Sequence, residues 1–305
     1  MAGMCEGRVA IVTGAGRGIG REHALMLASE GAAVVVNDLG ASPAGEGADL
    51  GPANEVVAEI EAMGGRAIVN GADVTSFEES EAMVAQAVDT FGRLDILVNN
   101  AGILRDRMVF SMTEVEWDSV VGVHLKGHFC PTRHAAAYWR EQSKAGNAVD
   151  ARIINTASPS GLYGNIGQAN YSAAKAGIAS FTMVCALELG RLGVTANCLA
   201  PTAITRLVAP LMGGDENISE DVRERLSPRW VATVATWLAS PAAAGVTGRV
   251  FDVRGDTIAI AEGWHRGPDG TNPGDPAGAG KIIEQLLVRA RPNADLDGND
   301  DSARF

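Results

Sequence analysis

Arg8–Gly20 reads RVAIVTGAGRGIG: a short apolar, β-branched run, a turn rich in glycine, and the start of a helical pattern that continues through Leu25 and Leu27 to Gly31. Strand, tight turn and helix in that order open a βαβ unit, and so predict a parallel sheet covered by helices. Each glycine has a distinct job in such a turn. Gly14 permits the tight bend, Gly18 lets backbone approach a pyrophosphate, and Gly20 lets the helix pack closely. With Arg17 and Ile19 between them, they form a candidate phosphate cradle. There the unpaired N–H groups of a helix N-terminus and the positive end of its dipole face an anion.

Ala33–Asp38 (AVVVND) is the next buried run, and its acidic end lies about twenty positions beyond the glycines. A carboxylate there accepts hydrogen bonds from adenosine ribose hydroxyls and repels a phosphate on that ribose, so Asp38 argues for NAD rather than NADP. Arg17 is the counter-signal, because by the family resemblance drawn below a basic residue in the glycine turn grips that phosphate. Leu39–Pro52 is a Gly/Pro/Ala-rich insertion, read as a mobile surface loop at the adenine end or an oligomer contact. Arg66–Asn70 follows as a third strand, then Asp73-Val74, where the aspartate caps a turn or, by the family resemblance drawn below, meets the adenine amino group. Leu94–Asn99 is a fourth strand running into NNAG, with Asn100 placed to lock neighbouring strands and Ala101 and Gly102 placed for close backbone approach.

Further on, Asn170–Leu189 (NYSAAKAGIASFTMVCALEL) has a helical pattern that sets Tyr171 and Lys175 four residues apart on one face. A free phenol titrates near 10, and a neighbouring ammonium stabilises its phenolate, so the pair predicts a tyrosine tuned for proton transfer. The preceding stretch Ile153–Asn170 reads as a buried strand and a glycine-rich loop, which brings Ser158 towards the same spot. Ser158, Tyr171 and Lys175, with TGAGRGIG and NNAG upstream in that order, resemble the short-chain dehydrogenase/reductase family.

The resemblance implies an α/β fold: a single Rossmann-type doubly wound parallel sheet of about seven strands flanked by helices. Residues 1–260 form the dinucleotide-binding catalytic domain and 261–305 a C-terminal extension, partly flexible. It also implies roles. Tyr171 is the proton acceptor, Ser158 holds the substrate oxygen, and Lys175 binds ribose hydroxyls and lowers the tyrosine's pKa. Pro201 and Thr202, with the backbone and hydroxyls as far as Thr205, follow the strand Val194–Ala200 and lie against the nicotinamide, although Thr202 stands where the family usually has glycine. Where many members read N-x-x-G, this chain has Val123-His124-Leu125-Lys126-Gly127, leaving His124 as a relay residue or a core residue. Arg206–Leu226, polar and glycine-interrupted, is read as a lid over substrate. Trp230–Ala239 is expected as a helix and Arg249–Val253 as the last strand.

Composition narrows the function. A net charge of −12 argues against a nucleic-acid groove or an anionic membrane surface. The four cysteines lack CxxC pairing or histidines at ligand spacing, so no metal is expected, and the reading is reduced thiols in a cytoplasmic protein. No signal-peptide succession opens the chain and no apolar run approaches bilayer length, so no membrane association is expected.

VVVNDLG, NNAGILRDR, VHLKGHF and YGNIGQANYSAAKAG resemble, within the family, the (3R)-hydroxyacyl-CoA dehydrogenase unit of peroxisomal multifunctional enzymes, also described as a 17β-hydroxysteroid dehydrogenase. That subgroup shares His124. The implied activity is NAD-dependent oxidation of a secondary alcohol, a 3-hydroxyacyl-CoA or steroid-like small molecule, to its ketone. Alternatives are an NADPH-dependent 3-oxoacyl-carrier-protein reductase, a steroid 17β-hydroxy dehydrogenase, or a non-catalytic dinucleotide sensor. A homodimer or homotetramer is expected, paired through the long helices with Trp139 and Phe181–Leu189 at the contact. In the tail, Lys281–Ala290 is read as a docking helix and the last twelve residues as disordered.

Overall fold

Every residue of Val9–Thr13 (β1) and Ala33–Asn37 (β2) is buried, which explains why both read as unbroken apolar runs rather than as alternating ones. The computed structural model describes residues 3–206 and 213–301. Within them β1, β2, Arg66–Asn70 (β3), Ile96–Asn99 (β4), Ala151–Thr156 (β5), Val194–Thr202 (β6), Val250–Arg254 (β7) and Thr257–Ala261 (β8) form one sheet ordered β3-β2-β1-β4-β5-β6-β7-β8. Neighbours pair in parallel from β3 through β7, and β8 closes antiparallel on β7.

Helices cover both faces. Gly18–Ser29 (α1), Gly51–Ala62 (α2) and Arg229–Ala239 (α9) pack with one apolar cluster containing Leu27, Ile60 and Leu238. Phe77–Phe91 (α3), Gly127–Lys144 (α5) and Ala169–Leu189 (α7) pack with a second containing Met83, Leu97 and Trp139. Fully burying each such side chain contributes roughly 1.5–3 kcal/mol. Strand order reverses between β1 and β4, which opens a crevice beyond their carboxyl ends, where ligands bind in sheets of this type.

Several expectations are corrected. The sheet has an eighth strand, so the last is β8 rather than β7. Residues 114–144, whose pattern reads as a single long helical stretch from Glu114 to about Gln142, are three pieces: Glu114–Val121 (α4), a π-helical turn Gly122–Lys126, and α5. Trp139 is not free to mediate pairing, because it is buried in its own chain with its indole N–H donating to the Leu94 carbonyl at 2.7 Å. One helix, Ala169–Leu192, is in fact long and apolar enough to span a bilayer by composition; its alanine-rich face packs on β6. Of the expected lid, residues 207–212 lie outside the described residues, and Glu220–Arg225 is a helix (α8) capped by Ser219.

The chain divides into two compact units, Met1–Ala261 and Glu262–Phe305. The second contains Pro276–Arg289 (α10), and its residues Ala294 and Asp300 form a β-bridge where disorder was expected.

One core residue makes the fold acid-sensitive. His23 on α1 is fully buried, neither ring nitrogen has a hydrogen-bond partner, and burial pushes its pKa down to about 3. It is neutral in the fold and takes up a proton on unfolding. Its unfavourable contribution is therefore absent above the ordinary value of 6.5 and grows as pH falls towards about 3. Each such group costs about 1.4 kcal/mol per pH unit in that window. Buried His124 and His128, also lowered, act in the same direction. In urea titrations, His23→Leu is expected to lose less stability on acidification from about pH 7 to pH 5 than the parent; parallel losses in both proteins would refute the assignment.

Candidate active site

The crevice at the strand reversal is a cleft of about 580 Å³. Its walls include Gly14, Arg17, Gly18, Ile19, Asp38, Asp73, Val74, Asn100, Ala101, Gly102, His124, Tyr171, Lys175 and Pro201. Of the residues singled out in the sequence, Gly20, Ser158 and Thr202 do not line it. Gly20 sits behind the turn, where a Cβ would lie 2.1 Å from the Gly14 carbonyl oxygen. Thr202 ends β6 opposite Arg254, and Ala203 and Thr205 line the cleft in its stead.

The floor is built by backbone that tolerates no side chain. Gly14 has φ of +62°, and a Cβ there would meet the Ala101 Cα at 2.7 Å, so the glycine turn and NNAG are in direct contact. Asn100 locks them: its side-chain N–H groups donate to the Thr13 and Gly14 carbonyls at 3.1 and 3.2 Å, and its backbone N–H donates to Thr13 Oγ1. The first turn of α1 has no side-chain cap and no acidic residue, which leaves its N–H groups open to an anion. At one end of the cleft, Asp38 accepts from Gly16 N at 2.8 Å and Gly40 N at 2.6 Å. Arg206 lies close enough to Arg17 and Asp38 to feel both charges. Asp73 lines the wall and also closes a turn, accepting from Thr75 N at 2.8 Å.

Within Leu39–Pro52, read in the sequence as a mobile loop, residues 41–44 are pinned by three contacts. Leu104 N donates to the Pro43 carbonyl at 3.1 Å, Arg105 Nε to Ala44 at 2.9 Å, and Arg206 to Ala41 at 3.1 Å.

At the other end, α7 carries Tyr171 and Lys175. Lys175 is buried, its Nζ donates to the Thr156 carbonyl at 2.6 Å, and it stands 5.5 Å from the centre of the tyrosine ring. The π-helical turn brings His124 edge-on to the same ring at 5.1 Å. His124 Nε2 lies 2.8 Å from the Ile103 carbonyl oxygen, and its buried Nδ1 has no partner among the described residues. A Cβ on Gly102 would fall 2.3 Å from this ring, so the last glycine of NNAG leaves space for the histidine. Ser158 begins the short helix Pro159–Tyr163 (α6), accepting from Ser160 N at 3.2 Å, and hydrogen-bonds the Tyr171 hydroxyl.

The electrostatics correct one expectation. Burial pushes Tyr171 up to about 12, with the Ser158 hydrogen bond lowering it and Asp106 raising it further. Burial also pushes Lys175 down to about 7. The protein alone therefore does not depress the phenol, because desolvation disfavours both charges and the lysine is too weakly charged near neutrality to offset that. The neutral phenol–amine pair and the phenolate–ammonium pair hold the same number of protons, and burial without further charge favours the former.

This donor set fits a nicotinamide dinucleotide. The uncapped helix end and glycine floor suit phosphates, Asp38 suits a ribose diol, and the buried, unpartnered Thr156 Oγ1 lies on the cleft wall beside Lys175. Sequence reasoning missed Thr156, whereas Leu104 and Arg105 fall in the stretch that it assigned to substrate and Ala203 and Thr205 in the Pro201–Thr205 stretch that it set against the cofactor. Thr156 carries no motif; only chain tracing to the end of β5 would have found it.

The short chain dehydrogenase family model matches residues 8–211. The chain is 46% identical over 266 residues to the hydroxyacyl-CoA dehydrogenase ChsB1 of Mycobacterium tuberculosis, covering 85% of this chain and 81% of that one. It is 44% identical over 233 residues to the mouse peroxisomal multifunctional enzyme type 2, covering 76% of this chain but 30% of that protein. Among solved structures, a short chain dehydrogenase from Mycobacterium avium matches with a TM-score of 0.84 at 51% identity, covering 96% of this chain and 98% of that one.

Proposed function

The chain belongs to the short-chain dehydrogenase family, and from that premise we propose that it oxidises the alcohol of a (3R)-3-hydroxyacyl-CoA to the ketone with NAD. The observation that carries this reading is the convergence of Ser158, Tyr171 and Lys175 at the carboxyl end of the parallel sheet. Similarity to hydroxyacyl-CoA dehydrogenases supports the substrate class.

Gly14, Arg17, Gly18, Ile19, Asp38, Asp73, Val74, Asn100, Ala101, Gly102 and Pro201 would hold the dinucleotide, with Gly20 and Thr202 shaping the backbone behind it. When bound, it supplies the hydride acceptor. With its own proton passed to Lys175, Tyr171 as phenolate takes the substrate hydroxyl proton, and Ser158 holds the same oxygen as its carbon flattens to a carbonyl. Lys175, charged, balances the phenolate and engages ribose hydroxyls. His124 stays neutral under burial, keeping the Ile103 carbonyl and the tyrosine ring in register.

Asp38 supports NAD over NADP, because a carboxylate fixed by two backbone N–H groups cannot leave the ribose end of the cleft. Arg17 and Arg206 on the same wall favour the second reading, a 3-oxoacyl-carrier-protein reductase using NADPH. Initial rates with (3R)- and (3S)-hydroxyacyl-CoA, each with NAD and NADP, separate the two. The expected result is a preference of about tenfold or more for the (3R) isomer and for NAD; a clear NADP preference would transfer the assignment to the reductase.

Four free, buried cysteines support a reducing compartment such as the cytoplasm. The exposed apolar face of α5 and α7, with Phe129, Met183, Val184 and Leu187, supports pairing of copies.

A further inference from the structure

Asn170 immediately precedes Tyr171 in the first turn of α7 and is fully buried. Its side chain spends its hydrogen-bonding groups on three separate pieces of chain. The two amide N–H groups reach the Arg105 carbonyl at 3.1 Å, in the segment after β4, and the Glu116 carbonyl at 3.0 Å, in α4. Its Oδ1 accepts from the Tyr171 backbone N–H at 2.7 Å.

A second stitch lies next to it. Gln168 donates to Asp106 Oδ2 at 2.8 Å, and Arg107 N donates to the Gly167 carbonyl at 2.8 Å. The segment 103–107 is thus fastened at both ends: by His124 at Ile103, and by the start of α7 at Arg105–Arg107. Tyr171 stands between these fastenings, its ring against His124. The position of the phenol relative to the segment facing it is therefore set by directional hydrogen bonds, among which the Asn170 amide joins all three pieces of chain, rather than by apolar packing alone, which leaves room to slide.

We propose that Asn170 is a positioning residue for the reaction, fixing Tyr171 at its working distance from the 103–107 wall of the substrate slot. This rests on the reading of Tyr171 as the proton acceptor. Neither Asn170 nor Gln168 touches the cleft, so their loss should leave dinucleotide binding nearly intact.

The charged and titratable groups facing Tyr171 are Asp106 from that wall, His124 from the π-helical turn and Lys175 from its own helix, with the Ser158 hydroxyl from the loop after β5. Burial holds the phenol up and Asp106 adds to it, so releasing the wall weakens both influences.

The test compares Asn170→Ala, Asn170→Ser and Gln168→Leu in the full chain. Asn170→Ala is expected to lower kcat by about tenfold or more, with the Kd for NAD, read by fluorescence titration, changed less than about threefold. The acid limb of the kcat–pH profile should move to lower pH, a shift that a merely structural loss of stability would not produce. Asn170→Ser, which retains a hydroxyl for one of the three partners, should recover part of the rate. Unchanged kcat in folded Asn170→Ala overturns the proposal, as does a fall in kcat with an unmoved pH limb. Should Asn170→Ala not fold, Gln168→Leu carries the same expectation of a lowered kcat and a shifted limb, and an unaltered profile there overturns it equally. A Tyr171→Phe control separates the two levels of the argument: if it keeps full turnover, the reading of the site has failed, whatever Asn170 does.

Discussion

Tyr171→Phe is expected to lower kcat by roughly 10²–10⁴-fold, the range that a positioned acid–base group contributes. The aromatic ring remains, so its edge contact with His124 and its stacking beneath Lys175 remain with it. What is lost is one oxygen, the partner of Ser158. That oxygen belongs to a half-buried side chain on the cleft wall, so its removal should leave stability nearly unchanged. NAD affinity should move by less than about threefold, because the phosphate and ribose ends of the cleft are held by other residues. Rapid-mixing measurements of bound NADH, with intact binding but no burst, would give this result. A variant that turns over within tenfold of the parent would show that another group takes the proton, and Ser158 or His124 would then have to be re-examined as the acceptor.

The sequence was informative wherever one residue type has one physical use. β1 and β2 are buried on both faces, so their identity lies in the run of Val, Ile and Ala alone. The turn at Gly14 and the contact it makes with Ala101 exclude any side chain, and this is why the glycines stand out in the text of the chain. β8 was less legible. Its five residues are short and mostly exposed, and they pair only with β7 through a turn at Gly255, so neither burial nor period marks them. The π-helical turn was equally hidden: His124 signalled a departure from the usual pattern, but the extra residue per turn is a property of hydrogen bonding that composition does not encode. Trp139 misled because a large aromatic on a long helix suits either a core or an interface, and only the position of the Leu94 carbonyl decides between them. The proton balance of Tyr171 and Lys175 was misjudged for a related reason. Spacing puts a cation beside a phenol, whereas the sign of the pKa shift depends on how much water each has lost.

Lys175→Met is expected to make the protein more stable while abolishing turnover. Lys175 is fully buried, and burial pulls its pKa from 10.5 to about 7, with only a small opposing push from Cys198. In the unfolded chain the amine holds its proton up to about 10.5. Keeping it buried therefore costs most at and below about pH 7, and the cost fades as pH rises through 10.5. At about 1.4 kcal/mol per unit, the penalty near neutrality is several kcal/mol as an upper bound. Against it stands the hydrogen bond to the Thr156 carbonyl at 2.6 Å, whose loss leaves a buried acceptor unpaired at a cost of about 1–3 kcal/mol. Methionine is unbranched, flexible and uncharged, and so fills the same channel without the desolvation. The desolvation saving exceeds the orphaned carbonyl near pH 7, so Tm there should rise by a few degrees, and the advantage should shrink as pH approaches 10. Thermal melts of both proteins across that range test the sign and the slope together. A variant less stable at pH 7, or one whose advantage ignores pH, would mean that the lysine is charged in the fold and held by partners beyond Thr156. The proposed chemistry would then have a different starting state, with the ammonium already in place beside the phenol.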